Sequence, residues 1–201
     1  MSITVLLADD EGLIRSALAT LLPLEADLSI IAEAGDGLQA LDAFNTHRPD
    51  VLVLDLEMPG LTGLEVAEKA LAANPEQAVV LLTRHARPGY LRSALRLGVR
   101  GFLSKHADPG DIAGAITAAA SGGRYVDPAI SAQALIDECP LTERELDVLR
   151  VASEGYSVAD MSHILHLAPG TIRNYLSNAI GKTETSTRHD AARYARERGW
   201  I

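Results

Sequence analysis

Apolar and polar positions fall into two regimes along the chain. Over roughly the first 120 residues, short β-rich runs alternate with segments of helical length. Ile3–Ala8, Leu28–Ala34, Val51–Leu54, Ala78–Leu82 and Gly101–Ser104 read as strands, and segments 11–22, 37–47, 62–73, 88–97 and 109–121 as helices. Pro49, Pro59-Gly60, Pro75, Pro88-Gly89, Gly98 and Pro109-Gly110 punctuate the joins. Leu13, Ala17, Leu18 and Leu21 form a helical stripe expected to pack on a sheet. Val51-Leu52-Val53-Leu54 has no polar alternation, as befits a central strand buried on both faces. Strands separated by single helices imply right-handed crossovers, so this part predicts an α/β domain with a five-stranded, doubly wound parallel sheet.

After Ser121-Gly122-Gly123 the strand signal stops. Residues 122–140 read as a linker holding Pro128, Pro140 and a short helical stretch, Ala129–Asp137. From Leu141 onward only helices are predicted, near 142–154, 157–166, 169–182 and 187–198. Thr142 with Glu145 makes a capping box for the first of these, and Ser157 is an N-cap for the second, with Asp160 in its first turn. The expected organisation is a domain at 1–121, a linker at 122–140 and a smaller all-α domain of four helices at 141–201.

Composition narrows the class. The 201 residues carry 18 Lys+Arg against 27 Asp+Glu, a formal charge of −9, with 47% hydrophobic and 22% charged residues. That is an ordinary globular mix, with room for two cores. Apolar runs such as Val5–Ala8 and Ala78–Leu82 fall far short of the roughly 18 residues of a membrane span. Met1-Ser2-Ile3-Thr4 offers no basic start, and Asp9-Asp10-Glu11 interrupts a signal-like apolar region, so a soluble cytoplasmic protein is expected. The single Cys139 excludes an internal disulfide and reads as an inert thiol. Residues 171–201 reverse the overall sign, with 6 basic against 3 acidic side chains. An anionic partner and a solvated helical face explain that surplus about equally well.

The candidate chemistry sits at the ends of the strands. Asp9 and Asp10 follow the first, Asp55 the third, Thr83 the fourth, and Lys105 the residue after the fifth. If the strand order is 2-1-3-4-5, these side chains meet at one rim, where doubly wound sheets place their sites. Three carboxylates repel one another, and hard oxygen donors with surplus negative charge are what Mg²⁺ takes. A carboxylate beside such a cation can attack phosphorus and become an aspartyl-phosphate. On this reading Asp55 attacks, Asp9 and Asp10 hold the metal, Lys105 pairs with a phosphoryl oxygen or a carboxylate and Thr83 donates a hydroxyl hydrogen bond. Taken singly, an Asp after a strand is more often a turn former or helix cap, Thr83 a local capping hydroxyl and Lys105 a solvated surface cation. The joint placement carries the reading.

Val5–Asp10, Asp55-Leu56-Glu57-Met58-Pro59-Gly60, Thr83 and Gly101-Phe102-Leu103-Ser104-Lys105 together resemble the receiver domain of bacterial two-component response regulators, over residues 2–121. The resemblance implies a flavodoxin-like fold with Asp55 as phosphoacceptor, fed by a sensor histidine kinase. It implies that Asp10 and Asp55 bind Mg²⁺ directly, Asp9 through water, and the Glu57 backbone carbonyl as a further ligand. Thr83 and Phe102 then form the switch pair, the hydroxyl moving to the phosphoryl group as the ring turns inward. His85-Ala86-Arg87 and His106 depart from the common pattern. Glu57 places a charge near the acceptor, from which slow autodephosphorylation is expected.

In the tail, two short helices joined by a few residues around Leu167–Pro169 predict a helix-turn-helix whose second helix can enter the major groove. Ile172, Leu176 and Ile180 form its core stripe, leaving Arg173, Asn174, Ser177 and Asn178 on another face. Arg and Asn pair bidentately with guanine and adenine edges. Thr171, Lys182 and Arg188 are placed to meet phosphates. His163 and His166 lie three apart but lack a third metal ligand, and Trp200 is expected to pack on the last helix. The segments Leu141–Leu149, Gly155–Leu167 and Thr171–Lys182 resemble the LuxR-type helix-turn-helix of the NarL/FixJ family. Thr171–Ser177, Ala191-Ala192-Arg193 and the Arg196–Ile201 ending are similar to its DesR subgroup, which is linked to control of membrane-lipid desaturase genes. Ala168 stands where a Ser cap is usual, Thr183 where Leu is common, and Val158-Ala159-Asp160-Met161 lacks a frequent lysine.

The resulting expectation is a transcription factor, not an enzyme. Phosphorylated at Asp55, it dimerises and binds double-stranded promoter DNA, with RNA polymerase as a further partner. Few cations make one copy a weak binder, and two linked copies gain by multivalency. Either the first and fifth helices or the fourth-helix face of the receiver could carry the dimer. Two rivals remain: a Mg²⁺-dependent phosphohydrolase using Asp55, and a protein-binding adaptor whose tail only dimerises.

Overall fold

The computed structural model describes residues 2–85, 87–136 and 139–201, so Met1, Ala86 and the Asp137 end of the linker helix lie outside the described residues. The chain divides into two compact units: residues up to 132 make the first, except 87–90, which group with residues 133–201 in the second. No helix among the described residues is long and apolar enough to cross a membrane.

Through residue 136 strands and helices alternate: β1 (Ile3–Ala8), α1 (Gly12–Glu25), β2 (Leu28–Ala34), α2 (Gly37–His47), β3 (Val51–Asp55), α3 (Gly63–Ala73), β4 (Ala78–Thr83), α4 (Pro88–Leu97), β5 (Gly101–Ser104), α5 (Pro109–Ala120), β6 (Tyr125–Val126) and α6 (Pro128–Ile136). The sheet is parallel throughout, in the order β2-β1-β3-β4-β5-β6. Strand period 2 sorts the core. Val5, Leu7, Val53, Val80 and Leu82 face one side, where Leu18 and Leu22 of α1 and Ile112 and Ile116 of α5 close over them. Leu6, Leu52, Leu54 and Leu81, one step out of phase, are fully buried on the side of α2 and α3. Five strands follow the expected 2-1-3-4-5 order, and the sixth corrects the count. Tyr125 and Val126 pair with Gly101 and Phe102 inside the segment expected to be a linker, and α6 follows at once. Two residues show no alternation from which a strand could be read.

The apolar stripe of α1 is also corrected. Leu13 is 86% exposed, and Ala17 and Leu21 face solvent, while Leu18 and Leu22 are buried with Ile14 partly covered. This helix is apolar on more than one side, so spacing admits two faces and only its seat on the sheet selects the one at steps of four. Pro23 falls within α1 and does not end it. In the last turn it forfeits one backbone bond, and Ala26 N–H still reaches the Leu22 carbonyl.

The second unit contains α7 (Glu143–Ser153), α8 (Val158–Leu165), α9 (Pro169–Lys182) and α10 (Arg188–Glu197) around Leu146, Leu149, Met161, Ile172, Leu176 and Trp200. Both expected caps form as reciprocal boxes, Thr142 with Glu145 and Ser157 with Asp160. Helix α8 ends on His166 in the left-handed region (φ 53°), which turns the chain in three residues to Pro169, the first residue of α9. Ala168 caps α9 without a side-chain hydrogen bond. Trp200 is buried edge-on to Tyr194, 5.6 Å between ring centres.

Candidate functional site

The sheet register assembles the rim. Ala8 lies opposite Leu54, Asp55 opposite Leu82 and Thr83 opposite Ser104, so Asp9, Asp10, Asp55, Thr83 and Lys105 leave adjacent strands at the same level. Asp55 and Thr83 are the last residues of their strands rather than the first residues beyond them. Helix α3 comes close under the acceptor because its first residue is Gly63. A Cβ there would stand 2.2 Å from the Asp55 carbonyl oxygen.

The Lys105 side chain, 2% exposed, is the hub. Its Nζ lies 2.9 Å from Asp9 Oδ2, 2.8 Å from Asp55 Oδ2 and 3.2 Å from Glu11 Oε1. One carboxylate oxygen from each of Asp9, Asp10 and Asp55 falls within 4.8 Å of the others. Asp9 and Asp55 are buried and Asp10 is exposed. Burial pushes the Asp55 carboxyl up to about 6, with the Asp9 charge adding to it, against the Lys105 bond and the Glu57 N–H. Asp9 is raised as well, first by burial and further by Asp10, with Lys105 opposing. Asp9 Oδ1 accepts from Glu11 N–H at 2.9 Å, whereas buried Asp9 Oδ2 has, among the described residues, no polar partner but the Lys105 ammonium. One cation is therefore shared by more carboxylates than it can neutralise. Hard oxygen donors at this spacing, one of them under-satisfied, suit a small divalent cation.

The neighbouring positions are in place with particular partners. Thr83 is fully buried, and its Oγ1 donates to the His85 carbonyl and accepts from His85 N–H, both at 3.1 Å, so the hydroxyl is engaged by the following turn. The Phe102 ring is buried, 1% exposed. Glu57 is exposed, its N–H donates to Asp55 Oδ1 at 3.2 Å, and its carboxylate stands 3.8 Å from His85 Nδ1. Met58 is buried under the turn that ends at Gly60 (φ 78°).

Two residues of this site escape motif reading: Glu11 and Arg84. With Asp10, Asp55, Glu57 and Lys105 they line a polar cavity of about 110 Å³ above the acceptor. Glu11 takes both Lys105 and the Arg84 guanidinium as partners. Each adjoins a recognised position, Asp10 and Thr83, and that adjacency was the available signal.

In the second unit, Arg173, Asn174, Ser177 and Asn178 are exposed along α9 while Ile172 and Leu176 are buried; Ile180 is partly covered. Thr171 is half-buried in the first turn. Lys182 has an internal partner: its Nζ lies 2.8 Å from Oε2 of buried Glu145, which also caps α7. Burial alone would raise the Glu145 carboxyl, but the Lys182 and Thr142 hydrogen bonds together hold it below its ordinary value. Arg188 is the first residue of α10 and is half-buried. Thr183 is buried, its hydroxyl donating to the Ala179 carbonyl at 2.8 Å.

Two known families match parts of this chain. Residues 5–117 match the response regulator receiver domain, and residues 139–195 match the bacterial regulatory proteins of the luxR family. The chain is 39% identical to the uncharacterized transcriptional regulatory protein YvfU of Bacillus subtilis, over 99% of this chain and 100% of that one. It is 34% identical to the transcriptional regulatory protein DesR of Bacillus subtilis, over 99% of each chain. Among solved structures, the response regulator RcsB in complex with DNA shares the fold, with a TM-score of 0.69 at 22% identity over 98% of each chain.

Proposed function

This chain belongs to the LuxR-family response regulators, a receiver domain followed by a DNA-binding helix-turn-helix, and from that premise we propose that Asp55 is the residue through which it is switched. The observation that carries the reading is the convergence of Asp9, Asp10 and Asp55 around the buried ammonium of Lys105. Asp10 and Asp55, with the Glu57 backbone carbonyl, would hold Mg²⁺ directly and Asp9 would support it through water. Bound there, the ion would neutralise the carboxylates and the incoming phosphoryl oxygens. Asp55 supplies the attacking oxygen, and its buried carboxylate is uncovered toward the cavity. Lys105 leaves a carboxylate for a phosphoryl oxygen, and Thr83 exchanges the His85 backbone for another. Those bonds exist only in the phosphorylated state, so they shift an equilibrium between two receiver conformations.

The phosphoryl donor is a sensor histidine kinase, and the chain turns over no substrate of its own. The phosphorylated receiver dimerises, setting two copies of α9 on two half-sites of promoter DNA, a reading that the RcsB–DNA fold supports. Arg173 and Asn174 read base edges, with Ser177 and Asn178 beside them, and Thr171 and Arg188 meet phosphates. RNA polymerase is the remaining partner, and the cytoplasm the compartment. The test is incubation of the full chain with acetyl phosphate and Mg²⁺. One phosphoryl group is expected by intact-mass measurement, with promoter binding strengthened. Labelling that survives Asp55→Ala refutes the assignment.

A further inference from the structure

We propose that Arg84 is a second phosphoryl-contact residue of this receiver and that Glu11 is its resting partner, an internal anion standing where the transferred group will bind. The inference deepens the reading of Asp55 as acceptor and rests on it. Arg84 immediately follows Thr83 and lines the cavity over Asp55 together with Lys105. The two cations share one anion: Glu11 Oε1 lies 3.2 Å from Lys105 Nζ, and Glu11 Oε2 is ion-paired with Arg84 Nη2. A carboxylate gripped by both cations at the mouth of the acceptor pocket presents them with two anionic oxygens, as an incoming phosphoryl group would. The pair is not locked. Arg84 is 47% exposed and Glu11 30%, so exchange of partners takes only side-chain rotation in contact with water.

The chemistry follows from that geometry. With acetyl phosphate as the donor, Asp55 Oδ forms a bond to phosphorus as the acyl O–P bond breaks, and acetate leaves with the bonding pair. No proton or co-reactant is needed. Three peripheral oxygens carry negative charge through this step, and a planar guanidinium meets two of them at once. When the phosphoryl group arrives, Glu11 loses both cations to it. Arg84 therefore promotes the reaction and Glu11 competes with it.

The opposite signs separate this role from that of a structural strut. Breaking a mere strut from either end has the same effect, whereas here the two ends act against each other. Initial rates of labelling by acetyl phosphate with Mg²⁺ are to be measured on the full chain by intact mass. Arg84→Ala should slow labelling about tenfold, the lower range for a charge-assisted hydrogen bond from a half-exposed donor, and Arg84→Lys should recover only part. Glu11→Gln should speed it by roughly three- to tenfold, and that gain should shrink in the Arg84→Ala background. Equal rates for wild type and Arg84→Ala, or changes of the same sign in Arg84→Ala and Glu11→Gln, overturn the proposal while leaving Asp55 as acceptor. Absence of label on the wild type, or label that persists in Asp55→Asn, overturns the acceptor reading itself.

Discussion

Replacing Lys105 with methionine tests the electrostatics of the rim most directly. The substitution keeps an unbranched side chain of similar length and removes the charge that Asp9 and Asp55 share at 2.9 and 2.8 Å. At an effective dielectric of about 20, each contact is worth roughly 6 kcal/mol of gross attraction, and the repulsion between the two carboxylates returns roughly 3.5. The Lys105 desolvation cost offsets much of the remainder, leaving about 3–5 kcal/mol for breaking a buried pair from one side. The loss should depend on pH, and the sign is fixed. Burial already raises Asp55 to about 6 from 3.8, so the native state binds this proton more tightly than the unfolded chain. Stability is therefore full below the unfolded value and falls as pH rises through the native one. Without Lys105 the native value rises further, at about 1.4 kcal/mol per unit, so the variant pays most near pH 8 and little near pH 5. Urea titrations followed by far-UV circular dichroism at about pH 5 and about pH 8 measure the difference. Mg²⁺ at the higher pH should recover part of the loss by mass action. An equal penalty at both values, or one under about 1 kcal/mol at the higher, would refute the picture of two buried carboxylates dependent on one cation.

Four further outcomes follow from the same geometry. Leu18→Ala should cost about 2–4 kcal/mol in urea unfolding while Leu13→Ala stays within about 0.5, because only the former is buried. Glu145→Gln should cost about 1–2 kcal/mol near neutral pH, limited by the water contact Lys182 retains. Since Glu145 is held below its ordinary value, that stability is present above the unfolded pKa and is lost as pH falls through the native one. Fluorescence of Trp200, which lies in the second unit, should report the two proteins converging in acid. Ala168→Ser should raise the thermal midpoint of the second unit by the equivalent of about 0.5–1 kcal/mol, seen by calorimetry, by supplying the missing cap of α9. In DNA titrations over a salt series, Arg173→Ala should cost about 1–3 kcal/mol at its preferred sequence, while Lys182→Ala leaves the salt slope unchanged because its ammonium is committed to Glu145.

Three residues show how the fold accommodates an unusual side chain. Thr183, polar where Leu is common, is buried without penalty because its hydroxyl bonds back to the Ala179 carbonyl. His166 accepts a left-handed φ at the end of α8, a backbone state that glycine or asparagine adopts more readily. His85 touches Glu57 only at 3.8 Å with both side chains largely exposed, so that pair contributes little to holding the site.

Local pattern determined a great deal. Strand ends bearing Asp9, Asp10, Asp55, Thr83 and Lys105 were legible because a parallel sheet aligns its carboxyl ends, so position in sequence becomes position in space. The two capping boxes and the turn before α9 were legible because their bonds span three or four residues. Long-range partners were decided only by the tertiary structure. Which face of α1 is buried depends on the sheet beneath it, since its apolar residues surround more than one side. The pairing of β6 has two residues and no period to betray it. Lys182 carries the same charge whether it meets a phosphate or Glu145, and 37 residues separate it from that carboxylate. Arg84 and Glu11 likewise become a pair only where β1 and β4 end at one rim, because an ion pair is set by distance in space and leaves no periodicity in the chain.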